Sequence, residues 1–256
     1  MLLVIDIGNS NLVLGLFEGK ILRHSWRVGS KRDQTPDEIS VLLRNLFELS
    51  RVPHSSVRDV VIASVVPPLN ESMTLAIQAY FEKTPVFVEP AMQNLIPIHY
   101  QPAGDVGADR IVNAVAAFEM FGGPVVIVDF GTATTFDAVS SAGEYMGGNI
   151  APGIGISSEA LFSKAAKLPR IEIKEPAEVI GTSTVSSMQA GIYYGYAGLV
   201  EGILKRMKAV MGPETTVVAT GGLARLIGQE AGGVDRIEES LTLHGLRIFH
   251  QRTIPQ

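Results

Sequence analysis

A chain of 256 residues, 46% hydrophobic and 18% charged, has the composition of a globular protein with enough apolar mass for two small domains. Its net charge of −5, with lysines and arginines scattered, argues against a nucleic-acid-binding surface. The absence of cysteine excludes disulfides, thiolate metal sites and thiol catalysis, and no apolar run approaches the roughly 18 residues of a bilayer-spanning helix. The first residues enter a strand pattern without a basic region or small-residue cleavage site, so the expectation is a cytoplasmic protein that does not engage a membrane.

In chain order, Val4-Ile5-Asp6-Ile7-Gly8-Asn9-Ser10-Asn11-Leu12-Val13-Leu14 reads as a buried strand, a tight turn and a returning strand, over residues 2–7 and 11–17. A carboxylate at a buried strand's end is costly unless it meets a cation or hydrogen-bond donors. Gly8 permits close approach of a ligand, and Asn9, Ser10 and Asn11 supply donors, which together suit a phosphate–Mg²⁺ group. An Asp that merely ends a strand explains the same residues. A third antiparallel strand is expected over 21–28. Thr35 then caps a helix, with Pro36 in its first turn and Glu38 completing a capping box; Ile39, Leu42, Leu43, Leu46 and Phe47 form its apolar face.

Residues 60–64 read as a buried strand ended by Pro67-Pro68, with a helix from about Asn70 to Lys83 and a short strand from Pro85 to Val88. Residues 89–107 are irregular, interrupted by Pro90, Pro97 and Pro102, and a loop this long inside a domain is usually functional. It leads to Gly107-Ala108-Asp109-Arg110, just before a helix over 111–121. Asp109 could cap that helix with Arg110 solvated, or the two could act on a ligand.

Gly122-Gly123-Pro124 is the best domain boundary, dividing the chain into 1–122 and 123–256. Beyond it, Val126-Ile127-Val128-Asp129-Phe130-Gly131-Thr132-Ala133-Thr134-Thr135-Phe136 repeats the first hairpin's pattern: Asp6 to Asp129 and Gly8 to Gly131 are both 123 residues apart (129 − 6, 131 − 8). Repetition at nearly half the length points to a duplicated α/β domain with both hairpins facing one cleft. Gly147-Gly148-Asn149-Ile150-Ala151-Pro152-Gly153 permits close approach to a ligand, or is a bent connection from strand to helix. Helices are expected over 157–168, 185–211 and 241–252, with 169–184 irregular. Met188, Ile192, Tyr196, Leu199, Ile203 and Met207 mark the long helix's apolar face, and Gly191, Gly195, Gly198 and Gly202 would let another helix approach it. Thr184 reads most simply as its cap. Residues 216–220 form a buried strand ending in a Gly221-Gly222 turn, the counterpart of the strand at 60–64. The five histidines lack metal-ligand spacing.

Two Asp-x-Gly hairpins in paired half-chains resemble the actin-like ATPase superfamily, which includes actin, the sugar kinases and acetate kinase. The closer similarity is to the type III pantothenate kinases. It rests on Asp6–Asn11, Gly107–Arg110, Asp129–Thr135, Gly147–Gly153 and Thr220-Gly221-Gly222 in that order, from residue 6 to 222. The resemblance implies two ribonuclease H-like domains, each a mixed sheet flanked by helices, around a central cleft. It implies transfer of the ATP γ-phosphoryl to pantothenate, the first step of coenzyme A biosynthesis.

By resemblance, Asp6, Ile7, Gly8, Asn9, Ser10, Asn11, Leu12 and Val13, with Thr132, bind the nucleotide's phosphates, and Asp6 holds Mg²⁺ through water. Asp109 is the base for the substrate hydroxyl. Tyr100, Gly107, Ala108, Asp109 and Arg110 contact pantothenate, and Thr184 reaches the pantothenate of a neighbouring subunit, which implies a homodimer. Asp129 coordinates a monovalent cation, K⁺ or NH₄⁺. Two other readings stay open on the residues: a kinase for another small alcohol or acid, and a non-enzymatic regulatory protein of the transcriptional accessory factor type.

Overall fold

A computed structural model describes residues 1–89 and 95–254. Residues 90–94, with Pro90 of the expected irregular stretch, lie outside the described residues. In chain order the first elements are β1 (Leu2–Ile7), β2 (Asn11–Glu18), β3 (Ile21–Gly29), α1 (Pro36–Leu49), β4 (Asp59–Ser64), α2 (Pro67–Phe81), β5 (Val86–Phe87) and α3 (Ala108–Phe121). Then follow β6 (Val125–Phe130), β7 (Ala133–Val139), β8 (Tyr145–Pro152), α4 (Ile154–Lys164), α5 (Thr184–Met211), β9 (Thr216–Gly221), α6 (Ala224–Gly228), β10 (Arg236–Ile237) and α7 (Leu241–Thr253).

These elements form two compact units: Met1–Ala116 with Leu241–Gln256, and Ala117–Ser240. Each contains one five-stranded sheet, in the order β3-β2-β1-β4-β5 and β8-β7-β6-β9-β10. In both, the central strand pairs antiparallel with a two-strand meander on one side and parallel with the following crossover strand on the other. The repeated hairpins are therefore one architecture used twice, and β4 and β9 are counterparts, as their apolar runs predict. β1 and β6 keep the offset of 123 along their whole length (125 − 2, 130 − 7).

The two turns differ. Gly8, Asn9 and Ser10 connect the first pair of strands, and only Gly131 and Thr132 connect the second. Each closes with a backbone bond of 3.0 Å, Gly8 N–H to Asn11 O and Gly131 N–H to Ala133 O. The extra residue puts Asp6 opposite Val13 but Asp129 opposite Thr135.

In the first unit, Leu3, Ile5 and Ile7 of β1 alternate inward with Leu12, Leu14 and Leu16 of β2, against Ile39, Leu43 and Phe47 of α1 and Leu69, Met73 and Ile77 of α2. The Thr35 capping box forms as expected: Glu38 N–H donates to Thr35 Oγ1 at 3.3 Å, and Thr35 N–H to Glu38 Oε2 at 2.8 Å. The other face of this sheet, bearing Val4 and Asp6, packs against α7. A Cβ on Gly15 would lie 3.0 Å from Leu243 Cδ1, and His244 meets the Phe17 ring edge-on.

Several boundaries depart from the sequence expectation. Pro67 opens α2 instead of ending what precedes it, because first-turn N–H groups have no intrahelical acceptor to lose. The glycine-rich 147–152 segment is edge strand β8 paired with β7, and α4 begins directly after Gly153. Ser183, not Thr184, caps α5. Its backbone is extended (φ −139, ψ 163), and its Oγ accepts from Ser186 N–H at 3.2 Å while Ser183 N–H donates to Ser186 Oγ at 2.9 Å. Thr184 is then the first helical residue. The buried stripe of α5 runs through Met188, Ile192, Tyr196, Val200 and Leu204. Added Cβ atoms on Gly191, Gly195 or Gly198 would meet nothing within 4 Å, so no helix among the described residues closes on that glycine row.

Candidate active site

The Asp6 hairpin stands at the carboxyl end of β1. Asp6 is half-buried on the face that packs against α7, Ile7 and Leu12 are buried, Asn11 and Val13 are partly exposed, and Asn9 and Ser10 are exposed at the tip. The backbone at Gly8 is close-packed: a Cβ there would lie 3.0 Å from Asn11 O. Such a turn leaves its N–H and side-chain donors at the rim, the chemistry a phosphate needs. The following loop clamps the tip: Ser30 N–H donates to Ser10 O at 3.0 Å, and Arg32 Nη2 to Asn9 Oδ1 at 3.0 Å.

The segment before α3 comes to the same end of this sheet. Val65, just past β4, donates its N–H to Ile7 O at 3.0 Å. A Cβ on Gly107 would sit 3.6 Å from Val65 Cγ1 and would meet Asp109 Oδ1. The Asp109 side chain thus folds over Gly107, and its Oδ1 accepts from Arg110 N–H at 2.8 Å. The 107–110 turn is thereby brought beside the residue that follows Asp6. Ala108 and Arg110 are buried, Arg110 to 8% exposure, and Tyr100 is half-buried upstream. Sequence reasoning missed Asn113, one turn further along α3, which is 1% exposed. A polar residue on an otherwise apolar helical face was the signal available.

In the second unit, Asp129 and Thr132 share one hairpin. Two glycine-bearing segments close on it: a Cβ on Gly221 (φ +92) would lie 2.5 Å from Asp129 Oδ1, and one on Gly153 would meet Thr132 O, while within the turn a Cβ on Gly131 would lie 3.6 Å from Asp129 Oδ1. The glycines at 153 and 221 therefore serve close approach of protein to protein around the Asp129 turn. Thr135 stands directly across the ladder from Asp129, on the same sheet face as the fully buried Asp137. Asp137 accepts from Tyr145 Oη at 2.6 Å and from Thr135 Oγ1 at 3.0 Å. The period-2 alternation Thr135, Asp137 along β7 is the signal the sequence offers for this group.

Thr184 is not brought to that hairpin. It lines a separate cavity of about 830 Å³ with Leu161, Leu168, Gly181, Met188 and Ile192, and is exposed. Among the described residues no group of three His, Asp or Glu side chains could hold a metal by itself. A single carboxylate ligand such as Asp6 suits a hard cation that takes its remaining ligands from water and phosphate. No helix among the described residues is long and apolar enough to cross a membrane.

The model of the type III pantothenate kinase family matches residues 2–206. The chain is 52% identical to a type III pantothenate kinase from Koribacter versatilis, over 98% of this chain and 96% of that one. It is also 52% identical to one from Moorella thermoacetica, over 98% and 99%. Among solved structures it resembles a Baf family transcriptional activator from Campylobacter jejuni, with TM-score 0.60, 19% identity and 97% of each chain covered. It resembles a ROK family glucokinase from Streptomyces griseus in complex with glucose and AMPPNP, with TM-score 0.50, 11% identity and coverage of 96% and 98%. These structural likenesses carry the fold, that of the actin-like ATPases and sugar kinases.

Proposed function

This chain belongs to the type III pantothenate kinase family, and on that premise we propose which of its residues carry the transfer of the ATP γ-phosphoryl to pantothenate. The reaction joins the γ-phosphoryl to a primary hydroxyl and gives 4′-phosphopantothenate. Phosphoryl transfer passes through a loose transition state, so positioning and charge neutralisation supply most of the acceleration.

Asp109 takes the proton of the attacking hydroxyl, a role worth roughly 10²–10⁴ in rate. Arg110, with Tyr100, Gly107 and Ala108, orients pantothenate, the guanidinium meeting its carboxylate in a fork a lysine could not copy. Asn9, Ser10 and Asn11 bind phosphate oxygens through N–H and side-chain donors, Gly8 lets the backbone come close to them, Ile7, Leu12 and Val13 flank the turn, and Thr132 takes a further phosphate oxygen. Asp6 holds Mg²⁺ through water, and bound Mg²⁺ offsets charge on the phosphates. Asp129 holds a monovalent cation, K⁺ or NH₄⁺. The observation that carries this reading is the packing of Gly107 beside Val65, whose N–H bonds Ile7: it brings Asp109 to the end of the strand that bears Asp6.

Thr184 serves pantothenate from a second copy of the chain, in a homodimer. The open glycine row of α5 supports that assembly, since nothing within 4 Å would meet a Cβ at Gly191, Gly195 or Gly198. The duplicated halves of the sequence are 1–122 and 123–256, the second sending its closing helix α7 to the first compact unit, and the location is cytoplasmic. Coupled ADP release tests the activity: it should depend on added pantothenate, and rise with K⁺. ADP release indifferent to pantothenate, or satisfied by sugars or acetate, would overturn the reading.

A further inference from the structure

Apart from the Mg²⁺ assigned to Asp6, the residues set around the phosphates include no cationic side chain. The Asp6 turn offers an acid, a glycine, two asparagines and a serine, and Thr132 adds a hydroxyl. A nucleoside triphosphate brings several negative charges, which neutral donors balance poorly. The fold does hold a cation against this turn. Arg32, in the loop after β3, sets its Nη2 3.0 Å from Asn9 Oδ1. The neighbouring bond from Ser30 N–H to Ser10 O, 3.0 Å, ties that loop to the same tip. Asn9 is a neutral acceptor, so it orients the guanidinium without cancelling its charge. Arg32 has no carboxylate partner among the described residues, and the residue is exposed. Beside it, Ser30 Oγ and Gln34 Oε1 are buried without a hydrogen-bond partner, so the loop's polar groups are not used up in holding its own shape.

We propose that Arg32 is a phosphate-binding residue that neutralises the terminal phosphates of the bound nucleoside triphosphate, with Asn9 as the group that aims it. A planar fork of five donors meets a phosphate through two parallel bonds while one corner stays on the amide oxygen. This rests on the reading of Asp6–Val13 as the phosphate-binding turn.

The test uses the full-length protein with Arg32→Ala, Arg32→Lys, Asn9→Ala and Gly8→Ala, comparing ATP and AMP binding by calorimetry and the kcat and KM for ATP. Arg32→Ala should weaken ATP binding and raise its KM by about tenfold or more, as loss of a charged hydrogen bond implies, while AMP binding stays level. It should also flatten the dependence of ATP binding on ionic strength. Arg32→Lys should restore the salt dependence and only part of the affinity. Asn9→Ala should cost less than Arg32→Ala, because the charge remains; an equal loss, matched for AMP, would mean the pair only braces the turn. Wild-type ATP affinity in Arg32→Ala, with Gly8→Ala impaired, overturns the assignment of Arg32 alone. Wild-type affinity in both overturns the phosphate reading of the turn itself.

Discussion

Thr242, in the first turn of α7, donates from Oγ1 to Oδ1 of Asn113 on α3 at 2.8 Å, joining residues 129 positions apart. A Cβ on Gly245 would meet Val112 O, so the two helices approach to backbone contact. The helix whose first turn carries Asp109 is thus held by α7. Thr242→Val keeps the shape and removes the donor from a buried acceptor, so stability should fall by about 1–3 kcal/mol. Urea unfolding monitored by circular dichroism measures this; an unmoved midpoint would leave the pair without structural weight.

Asp109→Asn should lower kcat by at least about tenfold, the low side of what a general base supplies, with ATP binding nearly intact. Asp6→Asn should instead raise the Mg²⁺ and ATP concentrations needed for half-maximal rate. Steady-state kinetics at varied ATP and Mg²⁺ separates the two. An unaltered kcat in Asp109→Asn removes that residue from proton transfer.

Gly221 adopts φ +92, and a Cβ there would lie 2.5 Å from Asp129 Oδ1 and 2.7 Å from the Phe130 backbone. Gly221→Ala should therefore displace the Asp129 turn as well as strain its own backbone, at a cost of about 1–3 kcal/mol. The companion expectation is a weaker response of activity to K⁺. A variant with both its melting temperature and its K⁺ response unchanged contradicts the close packing described around Asp129.

Tyr145 and Asp137 are both fully buried, and their hydrogen bond is 2.6 Å. Tyr145→Phe removes a hydroxyl donor from a buried acid in a low-dielectric interior. The expected loss is about 1.5–3 kcal/mol by chemical denaturation. A loss well under that range would show that the remaining donors suffice for the acid.

Glu38 gives a pH-dependent handle on α1. Hydrogen bonds from Thr35, first from its backbone and then from its side chain, hold the Glu38 carboxyl below its ordinary value of 4.5. A carboxyl depressed on folding supports the fold above its unfolded pKa and loses that support as pH falls through the folded one. Glu38→Gln should therefore be less stable than wild type at neutral pH, with the gap narrowing as pH falls below 4.5. Urea midpoints of both proteins across that range check it; a gap constant with pH would mean the carboxylate's charge is not what matters.

By itself the order of residues determined the two acid-tipped hairpins, their offset of 123, and the Thr35–Glu38 cap. Each is a local matter: strand alternation, turn chemistry and capping act over a few residues, and repetition made the short motif credible. The sequence did not say which of the adjacent hydroxyls Ser183 and Thr184 caps α5, because the side chains are chemically alike and only the backbone angles choose between them. It did not say that the glycines at 147 and 148 lie in a strand, since that depends on β7 being alongside. Only the tertiary structure sent α7 back across more than a hundred residues to the first sheet. That sheet has two apolar faces: α1 and α2 cover one, and α7 packs on the other. Burial is indifferent to sequence distance, so the helix that shields Val4 and braces the start of the Asp109 helix could come from anywhere in the chain.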